Sequence, residues 1–163
     1  MFEPDLLAQA ADLLAGARAQ SLTLATAESC TGGLIAGLLT EIPGASDVFE
    51  RGFVTYSNRS KEEMLGVPAG LLRQHGAVSE AVARAMAEGA IRNSTAQLAV
   101  AVTGIAGPGG GTEEKPVGLV HIAVARAGEA TQMQECRFGD IGREAIRRAT
   151  VHAALLLLQE ILS

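Results

Sequence analysis

Residues 98–111 read LAVAVTGIAGPGGG. The first six, 98–103, form a near-continuous apolar run of the kind found in a central strand covered on both faces. The run ends in a loop rich in glycine and proline, residues 104–116. Two further runs, 117–125 and 130–138, read as strands with Gly128 in the turn between them. That connection is too short for a parallel crossover, so this pair is expected to be antiparallel. Toward the N-terminus, Ser79 is a good N-cap for an alanine-rich helix running to about residue 92. Residues 60–65 and 69–74 are shorter helical pieces, and residues 49–57, rich in Phe, Val, Thr and Tyr, read as a strand. Residues 22–27 form a short buried strand, and residues 31–41 a helix closed by Pro43-Gly44. Pro4 suits a first helical turn, and Leu6, Leu7, Ala10, Leu13 and Leu14 recur at helical spacing over residues 4–20. The last helix covers about 140–162. Helices flanking apolar strands predict the α/β class: a three-layer α/β/α sandwich on a mixed, mostly parallel sheet. No repeat, linker or low-complexity segment interrupts it, so residues 1–163 are expected to form a single domain.

Composition narrows the function. The chain has 163 residues, 48% apolar and 19% charged, which is globular rather than disordered. Aromatics are 3%, so the core is expected to be Ala, Leu, Val and Ile. The net charge of −5 argues against a nucleic-acid partner, and the scarcity of aromatics argues against a base-stacking platform. Residues 1–5 lack the basic-then-apolar start of a secretory leader. Cys30 and Cys136 are then expected to be reduced thiols in a cytoplasmic protein. No uncharged apolar stretch is long enough to span a membrane, so none is expected as a partner.

Residues 27–33, AESCTGG, leave a buried strand and enter a helix. Such a junction exposes free N–H groups and the positive end of the helix dipole. Ser29 there would sit beside ready-made oxyanion donors, namely the backbone around Cys30, Thr31, Gly32 and Gly33. Ser29 or Thr31 could equally do no more than cap the helix. Cys30 is the rival nucleophile, but His75, His121 and His152 stand in no motif that would place a base beside it. No His/Cys/Asp cluster has metal-ligand spacing, and no metal is expected.

A serine without histidine needs another base, and lysine serves in the Ser-Lys variant of that chemistry. Lys61, in YSNRSK (56–61), starts a helix just after a strand, so Tyr56 and Lys61 could reach one cleft. Lys61 would have to be neutral near pH 7, far below the ordinary lysine pKa of about 10.4. Burial or a neighbouring cation must then supply roughly 4 kcal/mol. The competing reading is a solvated lysine paired with Glu62 or Glu63. The loop TGIAGPGGG (103–111) is neither a Walker loop nor a dinucleotide fingerprint. At the end of a central strand its N–H groups can still hold an anion. That makes Thr103, Gly104, Gly107, Gly109 and Gly110 candidate ligand contacts. Arg143 falls in the first turn of the last helix, against the macrodipole, where it could bind an anion with the helix end. Alternatively it pairs with Asp140 or Glu144, with Arg147 and Arg148 solvated.

Together AESCTGG (27–33), YSNRSK (56–61), LGV (65–67), GAVSE (76–80), TGIAGPGGG (103–111) and KPVG (115–118) resemble the competence/damage-inducible CinA C-terminal domain family over almost the whole chain. Stand-alone members look like nicotinamide mononucleotide amidohydrolases. The resemblance implies a three-layer fold with a mixed sheet. It also implies hydrolysis of the carboxamide of nicotinamide mononucleotide to nicotinate mononucleotide and ammonia. Ser29 matches the family nucleophile, Tyr56 and Lys61 its activating pair, and Thr103 and Arg143 further active-site positions. No cofactor is implied, and a homodimer is. Two departures stand out: Asp140-Ile141-Gly142-Arg143 replaces the family's Gly-Asp-Arg, and Arg51-Gly52 stands where Gly-Gly is common. Two rival readings remain, a nucleotide-binding regulatory module without turnover and an amidohydrolase for a related pyridine nucleotide.

Overall fold

The computed structural model describes residues 1–163. The chain runs α1 (Pro4–Ala19), β1 (Leu24–Glu28), α2 (Leu34–Thr40), a short 3-10 turn (Ala45–Asp47), β2 (Phe49–Val54), α3 (Asn58–Leu65), α4 (Ala69–His75) and α5 (Glu80–Arg92). It continues through β3 (Leu98–Gly104), β4 (Leu119–Arg126), β5 (Gln132–Arg137) and α6 (Arg143–Leu162). The five strands form one sheet in the order β2-β1-β3-β4-β5. β1 pairs parallel with both β2 and β3. β4 runs antiparallel to β3 and to β5, so it alone opposes the other four. The expected mixed sheet between two helical layers is therefore what forms.

Alternation along the strands separates the layers. Leu98, Val100 and Val102 of β3 and Val120, Ile122 and Val124 of β4 pack with α1, α2 and α6. Ala99 and Ala101, and Ala123 and Ala125, turn to the other face, with Ala25 and Ala27 of β1. That face is paved with methyl groups, so α5, through Ala83, Met86, Ala87 and Ala90, packs closely on it. The alanine-rich composition is thus a device for bringing one helical layer close to the sheet.

The winding places the site. From β1 the chain passes through α2 on the leucine-rich face to β2. From β2 it returns over the alanine face, through α3 to α5, to β3 on the other side of β1. The direction reverses at β1, and ligands of open α/β sheets bind at the carboxyl ends of strands at such a point. Two boundaries differ from expectation. The helix after β1 begins at Leu34 rather than at residue 31, because residues 30–33 form a turn that ends on two left-handed glycines, Gly32 (φ 58°) and Gly33 (φ 104°). Gly139 and Gly142 likewise delay the last helix to Arg143.

Candidate active site

Ser29 follows β1 directly, and its N–H donates to Val102 O at 3.0 Å, which fixes it against β3. Thr55 extends β2 in the same way, its N–H donating to Glu28 O at 2.9 Å. Ser57 then starts α3 with a capping box: it accepts from Ser60 N, and the Ser60 side chain accepts from Ser57 N. This box sets the direction of α3 and carries Lys61 back beneath the sheet edge. Lys61 is 1% exposed. Its Nζ lies 2.9 Å from Ser29 Oγ, 2.7 Å from Thr55 O and 3.4 Å from Tyr56 O. Glu63 pairs with Arg59 instead, at 2.6 Å, so the solvated ion-paired lysine is not what forms. Burial holds the Lys61 ammonium down to about pKa 8. A neutral Lys61 would donate to Thr55 O and Tyr56 O and turn its lone pair toward the Ser29 hydroxyl.

The rival thiol is disarmed by the same burial. Cys30 is 6% exposed, and desolvation pushes its pKa up to about 11. It is a thiol, not a thiolate, at neutral pH. No histidine lines the cavity. His152 Nδ1 lies 2.7 Å from Gln9 Oε1 on the α1–α6 surface, and His121 sits beside Glu135 at 3.9 Å.

Ser29, Cys30, Tyr56 and Lys61 line a cavity of about 290 Å³ at the carboxyl ends of β1, β2 and β3. Thr103, Gly104, Gly107, Gly109 and Gly110 form its opposite wall, and Arg143 closes one side. Arg143 makes no pair with Asp140 or Glu144. Its guanidinium donates to Gly107 O at 2.7 Å and to Tyr56 Oη at 3.1 Å, bracing the glycine loop against the end of β2. Tyr56 itself is 62% exposed, and its hydroxyl meets Arg143 rather than Ser29 or Lys61. Lys61 and Arg143 put two cations on the lining, and no carboxylate stands among it. The cavity is cationic in a molecule of net charge −5.

Other expected contacts fall elsewhere. Thr31, Gly32 and Gly33 do not line the cavity. Neither Ser29 nor Thr31 caps α2, whose N-cap is Gly33 without a side-chain bond. The fully buried Glu28 does that work: its carboxylate accepts from Thr31 Oγ1 at 2.6 Å, Ile35 N at 2.9 Å and Ala36 N at 3.0 Å. The positive end of α2 is therefore occupied from within. The Cys30 N–H bonds to no other residue, and Cys30 borders the cavity. Thr103 Oγ1 donates its proton to Ala77 O at 2.9 Å, so it ties β3 to the loop before α5 rather than offering a hydrogen to a ligand.

Six contributors are not among the candidate site residues of the sequence. Asn58, Ala77, Val78, Ile105 and Ala106 border the cavity, as their places in YSNRSK, GAVSE and TGIAGPGGG suggest. Arg147 is half-buried, not solvated, and donates to Cys30 O and Thr31 O. Its signal is its position four residues after Arg143, on the same helix face.

These features define a class: an α/β/α protein with a serine hydroxyl held on a buried lysine at the reversal point of its sheet. The chain belongs to the CinA C-terminal domain family, whose model matches residues 7–162. The nicotinamide-nucleotide amidohydrolase PncC of Escherichia coli (strain K12) is 53% identical over 147 residues, covering 89% of this chain and 88% of that protein. A CinA-like protein of Syntrophobacter fumaroxidans is 51% identical over 146 residues, 90% of this chain and 34% of that protein. The chain spans about a third of the length of several such curated relatives. In the crystal structure of competence/damage inducible protein CihA from Agrobacterium tumefaciens the same fold recurs, with a TM-score of 0.98 at 52% identity over 100% of this chain and 99% of that one.

Proposed function

We propose that the chain hydrolyses the carboxamide of nicotinamide mononucleotide to nicotinate mononucleotide and ammonia, as a step of pyridine nucleotide recycling. The observation that carries the chemistry is the 2.9 Å contact between Ser29 Oγ and a buried Lys61 Nζ that has no carboxylate partner. The choice of a nicotinamide nucleotide as substrate is supported by the relative of matching length, which is named a nicotinamide-nucleotide amidohydrolase. The cationic lining suits a mononucleotide phosphate.

Neutral Lys61 takes the proton from Ser29 Oγ as that oxygen bonds to the carboxamide carbon. The carbonyl oxygen becomes an oxyanion held by the Cys30 N–H. The C–N bond then breaks, and the Lys61 ammonium returns the proton to the departing amide nitrogen, releasing ammonia. Water attacks the acyl-Ser29 ester with Lys61 again as base, freeing the acid and restoring the serine. Lys61 does this directly, while Tyr56 orients Arg143. Arg143 and the backbone of residues 104–110 hold phosphate and ribose. No metal or organic cofactor enters these steps. The same reading makes the protein a cytoplasmic homodimer, supported by its free thiols and by exposed apolar residues such as Val54 on edge strand β2 and Leu156 on α6.

Ammonia release from nicotinamide mononucleotide, wild type against Ser29→Ala, tests this. The wild type is expected to turn over and the folded variant to fall by at least about 10³-fold. A wild type that binds the mononucleotide tightly but releases no ammonia would instead mark a binding module. Faster release from nicotinamide or its riboside would mark a different substrate.

A further inference from the structure

Arg147 does not line the cavity but holds the serine-bearing turn, and it has no assigned part. Nε donates to Cys30 O at 3.1 Å and Nη2 to Thr31 O at 3.2 Å, the carbonyls of two consecutive peptides. It makes no ion pair, since the nearby acids Glu3 and Glu144 both go to Arg148. An ordered, half-buried arginine spent wholly on two carbonyls of the serine-bearing turn is costly in side-chain entropy. What it fixes is the orientation of that turn.

The bonds form a chain. The sole cis peptide lies at Gly107-Pro108, so the peptides of this turn are trans, with C=O and N–H pointing opposite ways. Arg147 Nη2 donates to Thr31 O. The other side of that peptide is the Gly32 N–H, which donates to Ser29 O at 3.0 Å. The other side of the Ser29 carbonyl's peptide is the Cys30 N–H, which bonds to no other residue, and Cys30 borders the cavity. Each bond polarises the next peptide, strengthening the final donor. With α2 neutralised by Glu28, the positive end of this chain is the guanidinium on α6.

We propose that Arg147 is a positioning residue for the oxyanion donor: through the Thr31–Gly32 and Ser29–Cys30 peptides it aims and polarises the Cys30 N–H. It touches neither substrate nor Ser29 Oγ. This inference rests on the acyl-transfer reading of Ser29. Arg147 also borders a separate concavity of about 300 Å³, lined by Phe2, Leu6, Leu34 and Val151. A small cation can therefore reach its place from the side away from the substrate.

The test is Arg147→Gln and Arg147→Lys, with Arg147→Ala for rescue by added guanidinium. Two rates are read: ammonia release from nicotinamide mononucleotide, and phosphonylation of Ser29 by a fluorophosphonate, which needs the oxyanion donor but not the substrate. All three variants are expected to lose about 10- to 100-fold in kcat with KM within about threefold, and phosphonylation is expected to slow in parallel. The pH midpoint of the rate stays where the wild type has it, and millimolar guanidinium restores part of kcat to Arg147→Ala. If Arg147→Gln does not fold, Arg147→Lys carries the test, since a compact ammonium lacks the rigid planar fork with which the guanidinium fixes both carbonyls. A kcat within about twofold of wild type overturns the proposal. So does a loss accompanied by an equal rise in KM and a moved pH midpoint, which would mean a loosened site. A wild type inert toward the mononucleotide but phosphonylated at Ser29 would sink the substrate and leave the relay to be judged by the labelling rates alone. A wild type that does neither overturns both.

Discussion

On the proposed mechanism, the chemistry of this molecule is concentrated in one atom, Lys61 Nζ. Its environment supplies three oxygens and no negative charge, so burial dominates and the ammonium is held down to about pKa 8 against an ordinary 10.5. At pH 7 about a tenth of the molecules carry the neutral amine the mechanism needs. The log of kcat/KM is therefore expected to rise with unit slope up to about pH 8 and then level, as measured by initial ammonia release across pH 6–9.5. A flat profile would show that Lys61 is not the base. The same residue weakens the fold. Below about pH 8 the folded chain must bury an ammonium; between about 8 and 10.5 the unfolded chain still binds that proton while the folded chain has released it. Stability from this group therefore rises with pH across that window, by roughly 3 kcal/mol in all, and Lys61→Met is expected to remove that pH dependence in urea melts. The sequence marks Lys61 as a candidate but not its burial, because the acids that follow it promise a solvated pair. What removes that pair is the direction of α3, which sends Glu63 to Arg59 and Lys61 inward.

Among the elements, α3 is the one on which the site depends, and it is held by contacts that sequence patterning conceals. Its N-terminus is set by the Ser57–Ser60 capping box. Its C-terminus is set by a close approach to α5: a Cβ built on Gly89 would stand 2.1 Å from Leu65 O and 3.0 Å from its carbonyl carbon. Gly89 therefore fixes how closely α3 packs on α5, and hence where Lys61 lies relative to Ser29. Although alanine is the better helix former, Gly89→Ala must push backbone apart and is expected to cost about 1–3 kcal/mol, read in urea melts. Because α3 moves, kcat should fall with it, by roughly tenfold or more. A stabilised, fully active Gly89→Ala would refute the packing argument. The strand pattern, by contrast, was plain in the sequence: 98–103 and the antiparallel pair after it appear as β3, β4 and β5. The sequence pattern places the start of the helix after β1 too early because a serine and a threonine beside glycines mimic a cap. The cap is in fact a buried glutamate that reads as part of the strand.

At the scale of the whole molecule, the site is a convergence of segments far apart in sequence. Arg143 at the start of the last helix joins Gly107, 36 residues away, and Tyr56, 87 residues away. Periodicity could anticipate that the ends of β1, β2 and β3 meet, because winding rules bring parallel strand ends together. It could not anticipate that the C-terminal helix delivers two arginines there, one to the glycine loop and one to the serine turn, since no local pattern encodes contacts over such separations. The convergence also concentrates positive charge in a chain of net charge −5, so attraction for the phosphate of the proposed substrate must come from these few groups at close range, not from the molecule's overall field. Arg143 is the exposed one of the two cavity cations and the one able to follow a phosphate. A charge-assisted bond of this kind contributes about 1.5–3 kcal/mol. Arg143→Ala is therefore expected to raise KM for nicotinamide mononucleotide about 10- to 100-fold with kcat changed less than about threefold. The riboside, which has no phosphate, separates this role from the bracing of the glycine loop. If Arg143 reads the phosphate, the variant loses its preference for the mononucleotide and handles the riboside as the wild type does. If it serves only to brace Gly107, both substrates suffer alike, and phosphate recognition passes to the loop's own N–H groups.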